Sequence, residues 1–132
     1  MTAPELPALA LLADELAVCR LPTDASVPNW AWFGELTSIT STDDELSLVC
    51  SAADVPPEID HVAGWRAIKV AGPLDFDLVG ILAGLSTTLA DAGLSIFAIS
   101  TYDTDYVLVL GSRLDEAVSA LESAGYEVSS RE

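Results

Sequence analysis

The sequence predicts an α+β protein of two ferredoxin-like lobes, each β-α-β-β-α-β, with antiparallel sheets, helices on one face and an abbreviated first lobe. Three observations predict it. A strand–turn–strand segment at residues 38–50 returns in altered form at residues 98–110. From Trp65 onward the apolar pattern switches between a period of two and a period of 3.6 in the order such a lobe requires. The chain has 132 residues, 51% of them hydrophobic, enough for one compact body of two small lobes that would be marginal apart.

The repeat sets Ile39 against Ile99, Asp43 against Asp103, Leu48 against Leu108 and Val49 against Val109, an offset of 60 residues. Thr40/Ser100, Ser41/Thr101 and Glu45/Asp105 keep their chemistry. One structural unit used twice implies pseudo-symmetry, with hydroxyls and carboxylates gathered at two related hairpins.

In the first half, residues 6–12 and 16–21 read as two strands, separated by Asp14 and Glu15. Ala17 to Ile39 is 22 residues, whereas Ala67 to Ile99 is 32, so the first lobe's first helix is about ten residues shorter. Residues 27–32 leave room for a turn or two. Residues 51–64 contain Pro56-Pro57 and read as a short helical or loop return and linker. The domain boundary therefore falls between residues 63 and 64, giving domains 1–63 and 64–132.

The second half is cleaner. Residues 65–70 place Ile68 and Val70 on one face and Trp65, Ala67 and Lys69 on the other, as in a strand. Gly72-Pro73 ends it. Leu78, Ile81, Leu82, Leu85, Leu89 and Ala92 form a helical stripe, with Asp75 and Asp77 placed to favour its N-terminus and Gly93 to end it. Residues 95–100 and 106–110 are apolar strands joined by the turn 101–105. Ser112 and Asp115 suggest a capping box for a second helix with Leu114, Ala117, Val118 and Leu121 on its apolar face. Gly125 ends that helix, and residues 126–129 form the last strand.

The formal charge of -16, from 21 acidic and five basic residues, decides the class of partner. Phosphate backbones and anionic membrane surfaces need clustered Lys and Arg, which this chain lacks. An acidic surface suits a cationic or amine-bearing small ligand, and equally suits solubility in a saline cytoplasm. No basic segment leads an apolar run, and no apolar run reaches the roughly 20 residues of a membrane span. A soluble, cytoplasmic protein is expected. Cys19 and Cys50 read as buried free thiols. His61 reads as an exposed loop residue, and the runs 43–45 and 103–105 lack the alternation of a metal-binding loop. Trp30, Trp32 and Trp65 read as core or lobe-interface anchors. Neither a metal nor a cofactor is expected. The loop 72–77 carries two acids and no base, which disfavours phosphate chemistry, and no nucleophile elbow or Walker loop is present.

Gly72-Pro73-Leu74-Asp75-Phe76, the helix after it, and the run from Ile96 to Val109 resemble the small bacterial tandem ACT-domain proteins, a family that includes relatives of the cytosolic arginine sensor. The runs around residues 17–22 and 38–47 fit that family's first domain. The resemblance implies a ferredoxin-like regulatory module that binds an amino acid or similar metabolite between domains. Carried over residue by residue, it implies a pocket at Gly72, Leu74, Asp75 and Phe76, completed by Ser100, Thr101, Tyr102 and Asp105. In the first lobe, Asp24, Ser41, Thr42 and Glu45 hold comparable places, with Pro22-Thr23-Asp24 where the loop glycine would be.

These expectations converge on a non-catalytic regulatory protein that binds a small amino acid or related amine at a domain or subunit interface, and that pairs as a homodimer. The alternative is a structural module whose pocket has degenerated and whose sheet edge serves a protein partner. An enzyme using Asp75 or Asp105 as a general base is the third reading.

Overall fold

A computed structural model describes residues 6–72 and 80–130. Strand β1 (Leu9–Leu21) leads through a 3-10 turn (Asn29–Trp32) to β2 (Ser38–Ser41) and β3 (Leu46–Ser51). A second 3-10 turn (Ala52–Asp54) precedes β4 (Asp60–Val70), and helix α1 (Ile81–Asp91) follows. Then come β5 (Phe97–Ser100), β6 (Asp105–Leu110), a 3-10 turn (Gly111–Arg113), α2 (Leu114–Ser123) and β7 (Val128–Ser130). The chain divides into two compact units: residues 14–65, and residues 66–132 together with 1–13. Both β1 and β4 run across that division, and they are neighbours in the hydrogen-bonded strand order.

In the unit 14–65, β3 lies antiparallel between β2 and β1, with Cys19 opposite Leu48 and Ile39 opposite Leu48 on the other side. Alternation sends Ala17, Cys19 and Leu21 of β1 and Leu46, Leu48 and Cys50 of β3 into one core, which Ala31 of the 3-10 turn closes. That turn is all that stands in place of a first helix, as the shorter spacing predicted. Asp14 and Glu35 clasp each other: the Glu35 N–H donates to Asp14 Oδ2 at 2.9 Å, and the Asp14 N–H donates to Glu35 Oε1 at 3.0 Å.

In the other unit, β5 and β6 form an antiparallel hairpin, and α1 packs against α2. Its core joins Ile68 and Val70 of β4, Val107 and Val109 of β6, Leu85 and Leu89 of α1, and Ala117 and Leu121 of α2. Gly93 and Gly125 end the two helices with φ of 78° and 101°, the left-handed geometry expected of them.

Five features differ from the sequence reading. Residues 6–12 and 16–21 are not two strands: β1 is continuous through Asp14 and Glu15, because Asp14 finds its partners in Glu35 and Glu15 is exposed. Residues 60–64 are not linker but the start of β4, so His61 is exposed on a strand and not on a loop. The last strand does not close a purely antiparallel four-stranded sheet, since β7 pairs in parallel with β1, Leu9 opposite Val128. Ser112 caps nothing: α2 follows a 3-10 turn, with Arg113 at its cap position. Finally, the repeat has an offset of 59, one residue less than the identities suggest. Ser41 pairs with Leu46 as Ser100 pairs with Asp105, and Ser38 with Val49 as Phe97 with Leu108. A slip of one residue exchanges the two faces of every strand, so Leu48 corresponds to Val107, and both enter a core.

Two predictions follow from this packing. A Cβ on Gly34 would stand 2.8 Å from Ser51 Cβ and 3.0 Å from Asp14 Oδ2. Gly34→Ala should therefore lower stability by about 1–3 kcal/mol, read from the urea midpoint. Burial, with Cys50 as neighbour, pushes the Cys19 thiol from 9.0 up to about 12, and burial raises Cys50 as well. Because both folded values lie above the unfolded ones, this contribution is complete below about pH 8.5 and fades as the pH rises toward about 12. At pH 8 the native protein should leave both thiols unmodified by a thiol reagent, and the denatured chain should release two equivalents.

Candidate functional site

The turn between β5 and β6 is locked from within. The Thr101 N–H donates to the Thr104 carbonyl at 2.8 Å, and the Thr101 hydroxyl donates to the same oxygen at 3.2 Å. The Thr101 Oγ1 accepts the Thr104 N–H at 3.3 Å. Thr104 is buried, and its hydroxyl donates to the Val70 carbonyl at 2.6 Å, which ties the turn to the end of β4. The Ala71 N–H in turn donates to the Ala8 carbonyl at 2.8 Å. These bonds hold Gly72 and the turn at the same end of the unit.

Between them lies a hollow of about 200 Å³ lined by Lys69, Gly72, Thr101, Asp103, Thr104 and Tyr106. Its position follows from strand periodicity. Ile68 and Val70 enter the helix-side core, so Lys69 faces the other way, and Val107 turns Tyr106 outward in the same manner. The Lys69 ammonium stands 5.8 Å from the Tyr106 ring centroid, within range of the ring's negative face. Among the described residues Lys69 forms no ion pair, in a chain with 21 acids. The hollow thus presents one ammonium, one carboxylate, three hydroxyl-bearing residues and a glycine whose backbone carries no side chain. Such a set can take a ligand carboxylate at Lys69 and a ligand ammonium at Asp103.

Of the residues the sequence singled out, Gly72 and Thr101 line this hollow. Ser100 and Asp105 face each other as the last pair of the hairpin. Asp105 shares the strand face of Val107 and Val109, and it is not among the lining residues. Tyr102 is 81% exposed at the tip of the turn. Leu74, Asp75 and Phe76 lie outside the described residues, and the first turn of α1, which starts at Ile81, holds no acid. In the first lobe, Thr42 repeats the lock, its N–H donating to the Glu45 carbonyl at 2.9 Å; Ser41 ends β2 and Asp24 is exposed. Sequence reasoning missed Lys69, Asp103, Thr104 and Tyr106. The outward parity of Lys69 was readable in the alternation of residues 65–70, and it was the available signal.

Thr104→Val removes the buried hydroxyl that donates to the Val70 carbonyl. It should cost about 1–3 kcal/mol in chemical denaturation, whereas Thr104→Ser should recover most of that loss.

Comparison with known proteins places this geometry in a family. A family model described as an ACT domain matches residues 60–123, and a second, described as an N-terminal domain, matches residues 14–58. The crystal structure of a protein from Agobacterium tumefaciens is 35% identical, covers 98% of this chain and 96% of its own, and superposes with a TM-score of 0.91. The cytosolic arginine sensor for mTORC1, subunit 1, of Homo sapiens is 36% identical over 59 residues, 44% of this chain. The match spans 18% of that relative's length. The regulatory subunit of aspartate kinase from Thermus thermophilus shares the fold at a TM-score of 0.63 and 13% identity, over 92% of this chain and 99% of its own. With a mixed α/β fold, antiparallel hairpins and two helices among its described residues, the chain belongs to the ACT-domain family, with the cytosolic arginine sensors among its relatives.

Proposed function

We propose that the protein is a regulatory amino-acid-binding module that catalyses no reaction, and that the hollow at the β5–β6 turn is its ligand site. The observation that carries this reading is that Lys69, without an ion pair among the described residues, lines the same small hollow as Asp103. An ammonium and a carboxylate lining one recess complement a zwitterion, and the exposed Gly72 backbone can accept close approach. A volume of about 200 Å³ lies below the usual 300–1,000 Å³ of drug-sized sites, which favours a small amino acid or amine. A relative described as an arginine sensor supports the ligand class.

In this reading Gly72, Thr101, Lys69 and Asp103 hold the ligand's polar ends. The resemblance adds Leu74, Asp75, Phe76 and Tyr102 to the pocket, and a second subunit completes the enclosure in a homodimer. The two copies of the repeat are read as residues 1–63 and 64–132, with β1 and β4 each running through both compact units, and the compartment as the cytoplasm. Signalling requires that two conformations or assembly states differ in affinity for the ligand, since equal affinity shifts nothing.

A thermal-shift screen across the twenty amino acids and common polyamines tests the proposal. One compound at a hundredfold excess over its Kd should stabilise the protein by about 2.7 kcal/mol. Lys69→Met and Asp103→Asn should each abolish the shift while leaving the unliganded midpoint unchanged. If no compound shifts the midpoint or the assembly state, the protein is an interaction module with a degenerate pocket.

A further inference from the structure

The unit 14–65 carries a second hollow, of about 440 Å³, within the usual size of small-molecule sites. It is the counterpart of the first under the internal repeat. Counted from the ends of β1 (Leu21) and β4 (Val70), Arg20 stands where Lys69 stands, one residue before the last. At the offset of 59 that relates the two hairpins, Glu45 corresponds to Thr104 and Ser47 to Tyr106. All three line the second hollow, as their counterparts line the first. The parity agrees as well: Cys19 and Leu21 enter the core, so Val18 and Arg20 face away from it.

The chemistry of the two hollows has diverged. The second adds the start of β4, with Asp60, His61 and Val62. The Arg20 guanidinium donates one bond, to the Asp44 carbonyl at 3.1 Å, and forms no ion pair among the described residues, so most of its five N–H groups are available. The His61 Nδ1 lies 2.6 Å from the Ile59 carbonyl. A carbonyl only accepts, so Nδ1 carries a proton, and in the neutral ring Nε2 is an acceptor. Cation, acceptors and exposed aliphatic surface (Val62 is 60% exposed) therefore meet in one recess.

We infer that this second hollow binds a zwitterionic amino acid with an aliphatic side chain. The ligand carboxylate takes the Arg20 guanidinium, and its ammonium takes Glu45, Asp60 and His61 Nε2. The side chain covers Val18 and Val62. The inference rests on the reading of the protein as an amino-acid binder, but it does not depend on the first hollow being occupied.

Isothermal titration calorimetry with valine, leucine and isoleucine on the full chain, run in parallel on Arg20→Met, Glu45→Gln and Lys69→Met, separates the two sites. The inference expects binding of at least one of these ligands to weaken at least tenfold, a loss of about 1.4 kcal/mol, in Arg20→Met and in Glu45→Gln, and to survive in Lys69→Met. Arg20→Lys should recover part of the affinity, because it restores the charge without the planar fork. Binding that is lost in Lys69→Met and unchanged in Arg20→Met overturns this inference and leaves the first site standing. Absence of binding by all three ligands, with circular dichroism of the variants unchanged, overturns it as well.

Discussion

The period-two alternation of β1 and β4 is the constraint on which the rest depends. Each of these long strands runs through both compact units and must feed apolar side chains into a core on one face. The residues between are forced onto the opposite face, and near the end of each strand that residue is a cation, Arg20 or Lys69. Leu21 and Val70, buried immediately after them, fix the parity. Moving either strand by one residue would bury a guanidinium or an ammonium and expose an aliphatic side chain, a double penalty. The strong cores therefore hold the chemistry of the opposite face in register.

The hairpin turns supply the other half of each hollow. Thr101 and Thr42 each close their turn through backbone and hydroxyl bonds, so the turn residues are preorganised. The divergence lies one step further along. Thr104 spends its hydroxyl on the Val70 carbonyl, a structural tie, whereas Glu45 at the matching position is half-buried and keeps a carboxylate at the hollow. The turn of the second repeat is thus fastened to its neighbouring strand, and that of the first repeat offers an acceptor. Duplication copied the frame, and the side chains then specialised.

Much of this was legible in the sequence where interactions are local. Gly93 and Gly125 marked helix ends because a left-handed residue is needed there, and residues 65–70 displayed their alternation directly. The turn 101–105 announced itself through its hydroxyls. The continuity of β1 was hidden because Asp14 is accommodated by Glu35, 21 residues away, a pairing that no local pattern reveals. The repeat offset was misjudged for a related reason. Within runs such as Leu-Ser-Leu-Val and Tyr-Val-Leu-Val, apolar identities favour 60 over 59 (Leu48/Leu108 and Val49/Val109), and only the cross-strand register reveals the offset of 59. Of the site, Gly72 and Thr101 were reached through family resemblance, while Lys69, Asp103 and Tyr106 required knowing which strand face the hollow occupies.

The claim that matters most is that the face opposite the helix-side core, at the β5–β6 turn, receives the ligand. Amide chemical shifts of ¹⁵N-labelled protein, followed while the stabilising amino acid is titrated in, test it most directly. Saturable shifts are expected at Lys69, Gly72, Thr101, Asp103, Thr104 and Tyr106, with Leu85 and Leu89 of α1 little changed. Shifts confined to α1 and α2, with those six amides unmoved, would contradict it.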